Sequence, residues 1–347
     1  MYSNESTLTR SGKRIDEKDI YWSVVKGICV LCVIIIHLTM PEVSGKVPLS
    51  WWLVKRLVSF PVGMFFALAG YFIHLDQCTD VAYLWKKIKR ILIPYLYFSA
   101  LYLVRSSFEA PINAKGVLAS VLLGTAEIQL YFCVYLLQMI LLLPLLHKLV
   151  VCSKYRLCWL FLLIALSVVW SYLKSYLKVF PLVLNALCFP FLFFYALGLY
   201  LKALSEETAG KGKWICLIYR WRWVLVGGGC AVMLAEALPQ RLTMQVSIGN
   251  YAYTTAIILT AFSVYWCRKP KLSTRFAHFL GYLGYNSFSV FLVHMFLLRV
   301  LYSLENTLSY PLLQIVEFTA TLAGSLLVIW VIQKLFKGRK WLKTLGF

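Results

Sequence analysis

An all-α bundle of about ten transmembrane helices is the fold class this sequence predicts, on three observations. Hydrophobic residues make up 61% of its 347 positions and charged residues 14%, against about 45–50% and about 25% in a soluble domain. Apolar runs of about 20 residues, the length that crosses a bilayer core, recur along the chain. Lys and Arg gather in alternate connections between those runs. The composition excludes a soluble enzyme, a secreted disulfide scaffold and a disordered chain, because so few charges cannot cover the surface of a water-soluble fold.

The runs fall at roughly 20–40, 56–75, 91–108, 128–150, 157–173, 179–201, 221–238, 248–266, 282–302 and 311–335, each near the spanning length. Residues 1–19 are polar, and the first run lacks a small-residue cleavage site, so it reads as a span and not as a cleaved signal. With the N-terminus in the cytoplasm, the inner segments hold 25 of the 35 Lys and Arg and the outer ones 9, with Lys26 inside the first span. The positive-inside rule then puts both termini in the cytoplasm. The formal +21 is a signal of topology and of contact with anionic lipid, not of a nucleic-acid partner. One membrane domain over 20–335 is expected between a tail at 1–19 and a basic tail at 336–347. The connections at 109–127 and 203–220 are too short to fold alone, so any chemistry must come from helix faces and loop ends.

The ten cysteines do not read as a framework. Cys29, Cys32, Cys133, Cys158, Cys188 and Cys230 lie within apolar runs, where Cys acts as a small hydrophobe. Cys29 and Cys32 form a CxxC without the second ligand pair that zinc requires, and no metal is expected.

Ionisable groups inside a span are costly and point to function. Lys26 and His37 both lie in the first run. Eleven residues at 100° each put them on one helix face, about 16 Å apart along the axis, with His37 deep in the outer half. His294 is a second intramembrane histidine, preceded by Asn286, Ser287 and Ser289. His74, His147 and His278 fall near span ends and read as interfacial. Glu236 and Glu317 lie within helical segments and Glu127 at the start of the fourth span, each able to pair with a histidine or a cation.

Five motifs in this order resemble the acyltransferase-3 family of integral-membrane acyltransferases, which includes polysaccharide and O-antigen O-acetylases. The basic residue, ten residues and histidine of its first span match Lys26 to His37 in KGICVLCVIIIH. Its F-x-x-S-G-[YF] run matches FFALAGYFI at Phe65–Ile73, and its RxxR element matches KKIKRILIPYL, with Lys87, Arg90 and then Pro94. QLYFCVYLLQMILLLPLL resembles the fourth-helix region, and GYNSFSVFLVH the late G-x-x-S…H stretch. The matches run from residue 20 to about 300. Three departures stand out. Ser23 replaces an Asp common in the family, Ala69 replaces the serine of the second motif, and Lys26 and Lys87 replace arginines, losing the bidentate fork that suits phosphate.

The resemblance implies an enzyme of a bacterial-type inner membrane. It would move an acyl group, acetyl or succinyl, from cytoplasmic acyl-coenzyme A to a hydroxyl of a cell-envelope glycan or lipid-linked sugar. His37 and Lys26 are the expected catalytic pair. Histidine suits the removal of the hydroxyl proton or brief carriage of the acyl group, and the sequence leaves both open. Lys87, Lys89 and Arg90 are expected to hold the donor's phosphates. His294, Asn286, Ser287 and Glu127 are expected as substrate or structural polar groups. The rival reading is a transporter, because internal charges and helix-breaking Pro61, Pro144 and Pro190 also suit alternating access.

Overall fold

In a computed structural model of the chain, residues 17–39, 48–176, 181–209, 212–238, 247–268, 270, 272, 274–302 and 308–336 are described. The described residues are helical almost throughout. In chain order the helices are α1 (Glu17–His37), α2 (Leu49–Leu57), α3 (Pro61–Tyr71), α4 (Val81–Ser107) and α5 (Ala114–Leu123). They continue with α6 (Tyr131–Leu141), α7 (Leu143–His147), α8 (Arg156–Tyr176), α9 (Pro181–Asn185) and α10 (Phe189–Thr208). The last five are α11 (Lys213–Ala237), α12 (Ile248–Arg268), α13 (Arg275–Tyr285), α14 (Ser287–Leu301) and α15 (Tyr310–Leu335).

Among the described residues, six helical segments are each long and apolar enough to cross a membrane, and two bent pairs raise the number to eight. The two further runs expected as spans are α4 and α12. They have 27 and 21 residues, but α4 carries Lys86, Lys87, Lys89 and Arg90 in its first half. Most of the two expected tails lies outside the described residues.

Several expected spans are broken, for local reasons. The 56–75 run divides between α2 and α3, where Ser59 Oγ donates to the Arg56 carbonyl at 2.7 Å and Pro61 opens the next helix, having no N–H to lose there. The 179–201 run divides into α9 and α10, with Pro190 near the α10 start. The 282–302 run bends by 79° between α13 and α14. At that bend Asn286 Nδ2 donates to the Tyr282 carbonyl at 2.9 Å, while its Oδ1 accepts from Gln333 Nε2 at 3.0 Å.

The connection expected at 109–127 is a further correction, since it holds α5. Asn113 caps that helix by accepting from Gly116 N–H at 2.7 Å, and Gly124 ends it at φ +71°, a left-handed conformation that glycine adopts without a Cβ penalty. The α5–α6 pair bends by 49°. Its elbow brings Glu127 and Gln129 to the side of the bundle where α1 ends.

Packing follows the close approach of small residues expected in membrane bundles. A Cβ on Gly284 would meet the Ser23 carbonyl at 1.7 Å, and one on Gly27 the Leu280 carbonyl at 2.1 Å. Helix α13 therefore lies directly against α1, and the bend at Asn286 carries α14 from there toward the α1 C-terminus. Aromatic rings fill the core on the Lys26 side: Trp22 packs on Phe262 at 4.5 Å and on Tyr265 at 4.9 Å between centroids.

Candidate active site

Helix α1 ends at His37, earlier than expected. The histidine occupies the last turn and not mid-span, and its burial is partial. The exit of α1 is held from three other helices. Tyr302 OH donates to the His37 carbonyl at 3.0 Å, Lys55 Nζ to the Leu38 carbonyl at 2.8 Å and Gln314 Nε2 to the Thr39 carbonyl at 3.2 Å. Glu317, wholly buried on α15, accepts from Thr39 N–H at 2.8 Å and from the Thr39 hydroxyl. The last carbonyls of a helix have no partner within it. Here side chains supply them, which fixes where His37 stands.

The His37 ring faces that of His294, with centroids 5.4 Å apart and planes at 48°. His294 is fully buried, and its Nδ1 lies 3.1 and 2.9 Å from the carbonyls of Val290 and Phe291. Carbonyls only accept, so Nδ1 carries the proton and Nε2 presents a lone pair. That Nε2 is buried without a hydrogen-bond partner among the described residues. In the neutral ring a lone-pair nitrogen thus stands near the His37 ring, with no hydrogen bond joining the two side chains.

The His37 ring lies in the wall of a cavity of about 840 Å³, together with Glu127, Gln129, Ser287 and Arg299, a volume typical of small-ligand sites; His294 stands behind His37, outside that wall. Phe65, Tyr131, Phe132, Tyr135, Phe191 and Phe291 supply aromatic wall. Glu127, 5% exposed, pairs with Arg299, 39% exposed, through contacts of 2.8 and 3.3 Å, the forked geometry that favours Arg–carboxylate pairs. A second pair in the wall, Arg105 to Glu109, measures 2.6 Å. Lys55 and Arg299 add positive charge near His37. Among the described residues no three His, Cys, Asp or Glu side chains converge as a metal set.

The expected site residues therefore divide. The structure brings together His37, His294, Ser287 and Glu127. Asn286 does not line the cavity and serves the α13–α14 bend. Lys26 is not in the wall either; its Nζ stands 5.9 Å from the Phe72 ring. Lys87 and Lys89 lie over the rings of Tyr83 and Trp85, each at 5.2 Å, and Arg90 is exposed. Arg90 precedes the cavity residue Arg105 by fifteen residues on α4, about 22 Å along the axis, so the basic cluster belongs to the other end of the bundle. Ala69 takes no part in the wall. Sequence reasoning missed Arg299, Arg105, Glu109 and Gln129. Each lies at a span end or in a connection, where polar residues are ordinary, and the one available signal was that Glu127 needed a cation.

Apolar helices of spanning length, with adjacent histidines and ion pairs at a cavity, define a membrane protein with a polar site among its helices. A family model described as an acyltransferase domain matches residues 19–334, nearly the whole chain, and the protein belongs to that acyltransferase-3 family. Comparison with curated proteins gave no match, nor did comparison with solved structures.

Proposed function

We propose that the protein is an O-acyltransferase of a bacterial-type inner membrane, with ten spans and both termini in the cytoplasm. It moves an acyl group, acetyl in the first instance, from cytoplasmic acyl-coenzyme A to a hydroxyl of a cell-envelope glycan or lipid-linked sugar. The observation that carries this reading is His37 in the wall of a cavity of substrate size, with His294 behind it, in a chain of an acyltransferase family. Aromatic walls suit the apolar faces of a sugar ring, and the ion pairs give its hydroxyls polar partners.

The chemistry follows from the residues. His37 takes the proton of the acceptor hydroxyl as its oxygen attacks the thioester carbonyl, the form of general-base help that histidine gives best near neutrality. The carbon–sulfur bond breaks, and the coenzyme leaves as a thiol once it regains a proton. The nearby cations Lys55 and Arg299 favour the negative charge that develops on the carbonyl oxygen. Lys26, Lys87, Lys89 and Arg90, at the other end, hold the phosphates of the donor, whose arm extends along α1 toward His37.

Mass spectrometry of surface glycans from cells with and without the protein tests this. A new ester on a defined sugar supports the reading. Passage of a glycan or solute across the membrane with no ester formed would favour a transporter and contradict it.

A further inference from the structure

Resting on the acyl-transfer reading, we propose that Gln129 selects the acceptor: its side-chain carbonyl receives a hydrogen bond from a hydroxyl or amide N–H of the sugar other than the reacting hydroxyl. Gln129 lines the cavity, follows Glu127 by two residues and is 2% exposed. The orientation of its amide is settled by a chain of bonds. Tyr102 OH lies 2.9 Å from the Leu292 carbonyl, which can only accept, so the single hydroxyl proton of Tyr102 is committed there. Gln129 meets the same phenol oxygen at 3.0 Å. That contact is a hydrogen bond only if the amide nitrogen faces Tyr102, because the opposite flip would set two acceptors against each other.

The amide oxygen is thereby left for something else, and it is buried with no partner among the described residues. A buried carbonyl without a donor is costly, so a position beside a cavity is one where a ligand's donor is selected for. An acceptor that brings its own donor to this oxygen relieves that cost. An acceptor that brings only an apolar group strands the oxygen, which is how sites built around a hydrogen bond reject the analogue lacking it. Gln129 and Tyr102 join the short 3-10 turn at Ile128–Leu130 to α4 and α14. The reading group is thus fixed to the helix that carries His294.

The test uses the full-length protein in lipid nanodiscs with acetyl-coenzyme A. Acceptors are the octyl glycosides of glucose, galactose, mannose and N-acetylglucosamine, and then the monodeoxy analogues of whichever is acylated. Gln129→Met should raise KM for the glycoside about ten- to hundredfold, a change of about 1.4–2.8 kcal/mol, and leave KM for acetyl-coenzyme A within about twofold. One deoxy analogue should cost the unsubstituted protein the same factor and cost the Met variant nothing more, the non-additivity of groups in contact.

Unchanged glycoside KM in the Met variant overturns the inference, as do equal losses for donor and acceptor or additive losses with every deoxy analogue. If the unsubstituted protein acylates none of the glycosides, the acyl-transfer reading itself fails and the selection role falls with it.

Discussion

At the His37 end of the bundle, several polar side chains are paired with one another or with backbone groups; along the first half of α4 they lie open. Glu127 has Arg299, Glu317 has Thr39, and Lys55 has the Leu38 carbonyl. Lys86, Lys89 and Arg90 are exposed and lie among rings and solvent. The difference teaches what each region is built for. Burying a charge is costly unless it is paired, and paired groups hold fixed positions, as the proposed catalytic role of His37 requires. Exposed cations cost little and can engage a mobile polyanion such as a nucleotide diphosphate, or merely lipid headgroups. The first region should respond to substitution in turnover and stability, the second in donor affinity.

The largest effect is expected at His37. His37→Gln keeps hydrogen-bonding capacity but cannot act as a base, so turnover per folded molecule should fall by roughly two to four orders of magnitude. A near-normal rate would move the catalytic role to His294. Next comes Arg299→Met, which leaves Glu127 buried alone. Breaking a buried pair costs about 3–5 kcal/mol; since Arg299 is 39% exposed, a loss of about 2–3 kcal/mol is expected, read from thermal unfolding in nanodiscs. Arg299→Lys should restore part of it.

On the open side, Arg90→Ala should leave folding intact and raise KM for acyl-coenzyme A by roughly one to two orders of magnitude, since a charge-assisted bond to phosphate is worth about 1.5–3 kcal/mol. The smallest effect belongs to Lys89→Ala, whose influence on unfolding should stay within about 0.5 kcal/mol as for other exposed substitutions. A large loss of stability there would show that the open region is structural after all, and the contrast would collapse.

What was legible in the sequence follows the same line. His37 and His294 stood out because an ionisable group in an apolar run is conspicuous. Apolar length located α1, α8, α12 and α15 to within about three residues, whereas α4 and α11 begin about ten and eight residues before the runs expected there. The bend at Asn286 and the helix at 114–123 were not legible. Both depend on side chains bonding to nearby backbone, which leaves hydropathy unchanged. The pairing of Thr39 with Glu317 spans 278 positions, and nothing local in either segment names the other. Lys26 was misplaced by a sound rule: it does share a helical repeat with His37, but the cavity reaches only the last turns of α1, with Val33 and Ile36 beside His37.

Saturation curves for acyl-coenzyme A, recorded on the unsubstituted protein, His37→Gln and Arg90→Ala in one nanodisc assay, test the division of labour most directly. The account predicts that His37→Gln lowers kcat by at least about a hundredfold with KM for the donor nearly unchanged, and that Arg90→Ala raises that KM with kcat nearly unchanged. A His37 variant whose defect lies in donor KM, or an Arg90 variant whose defect lies in kcat, would contradict it.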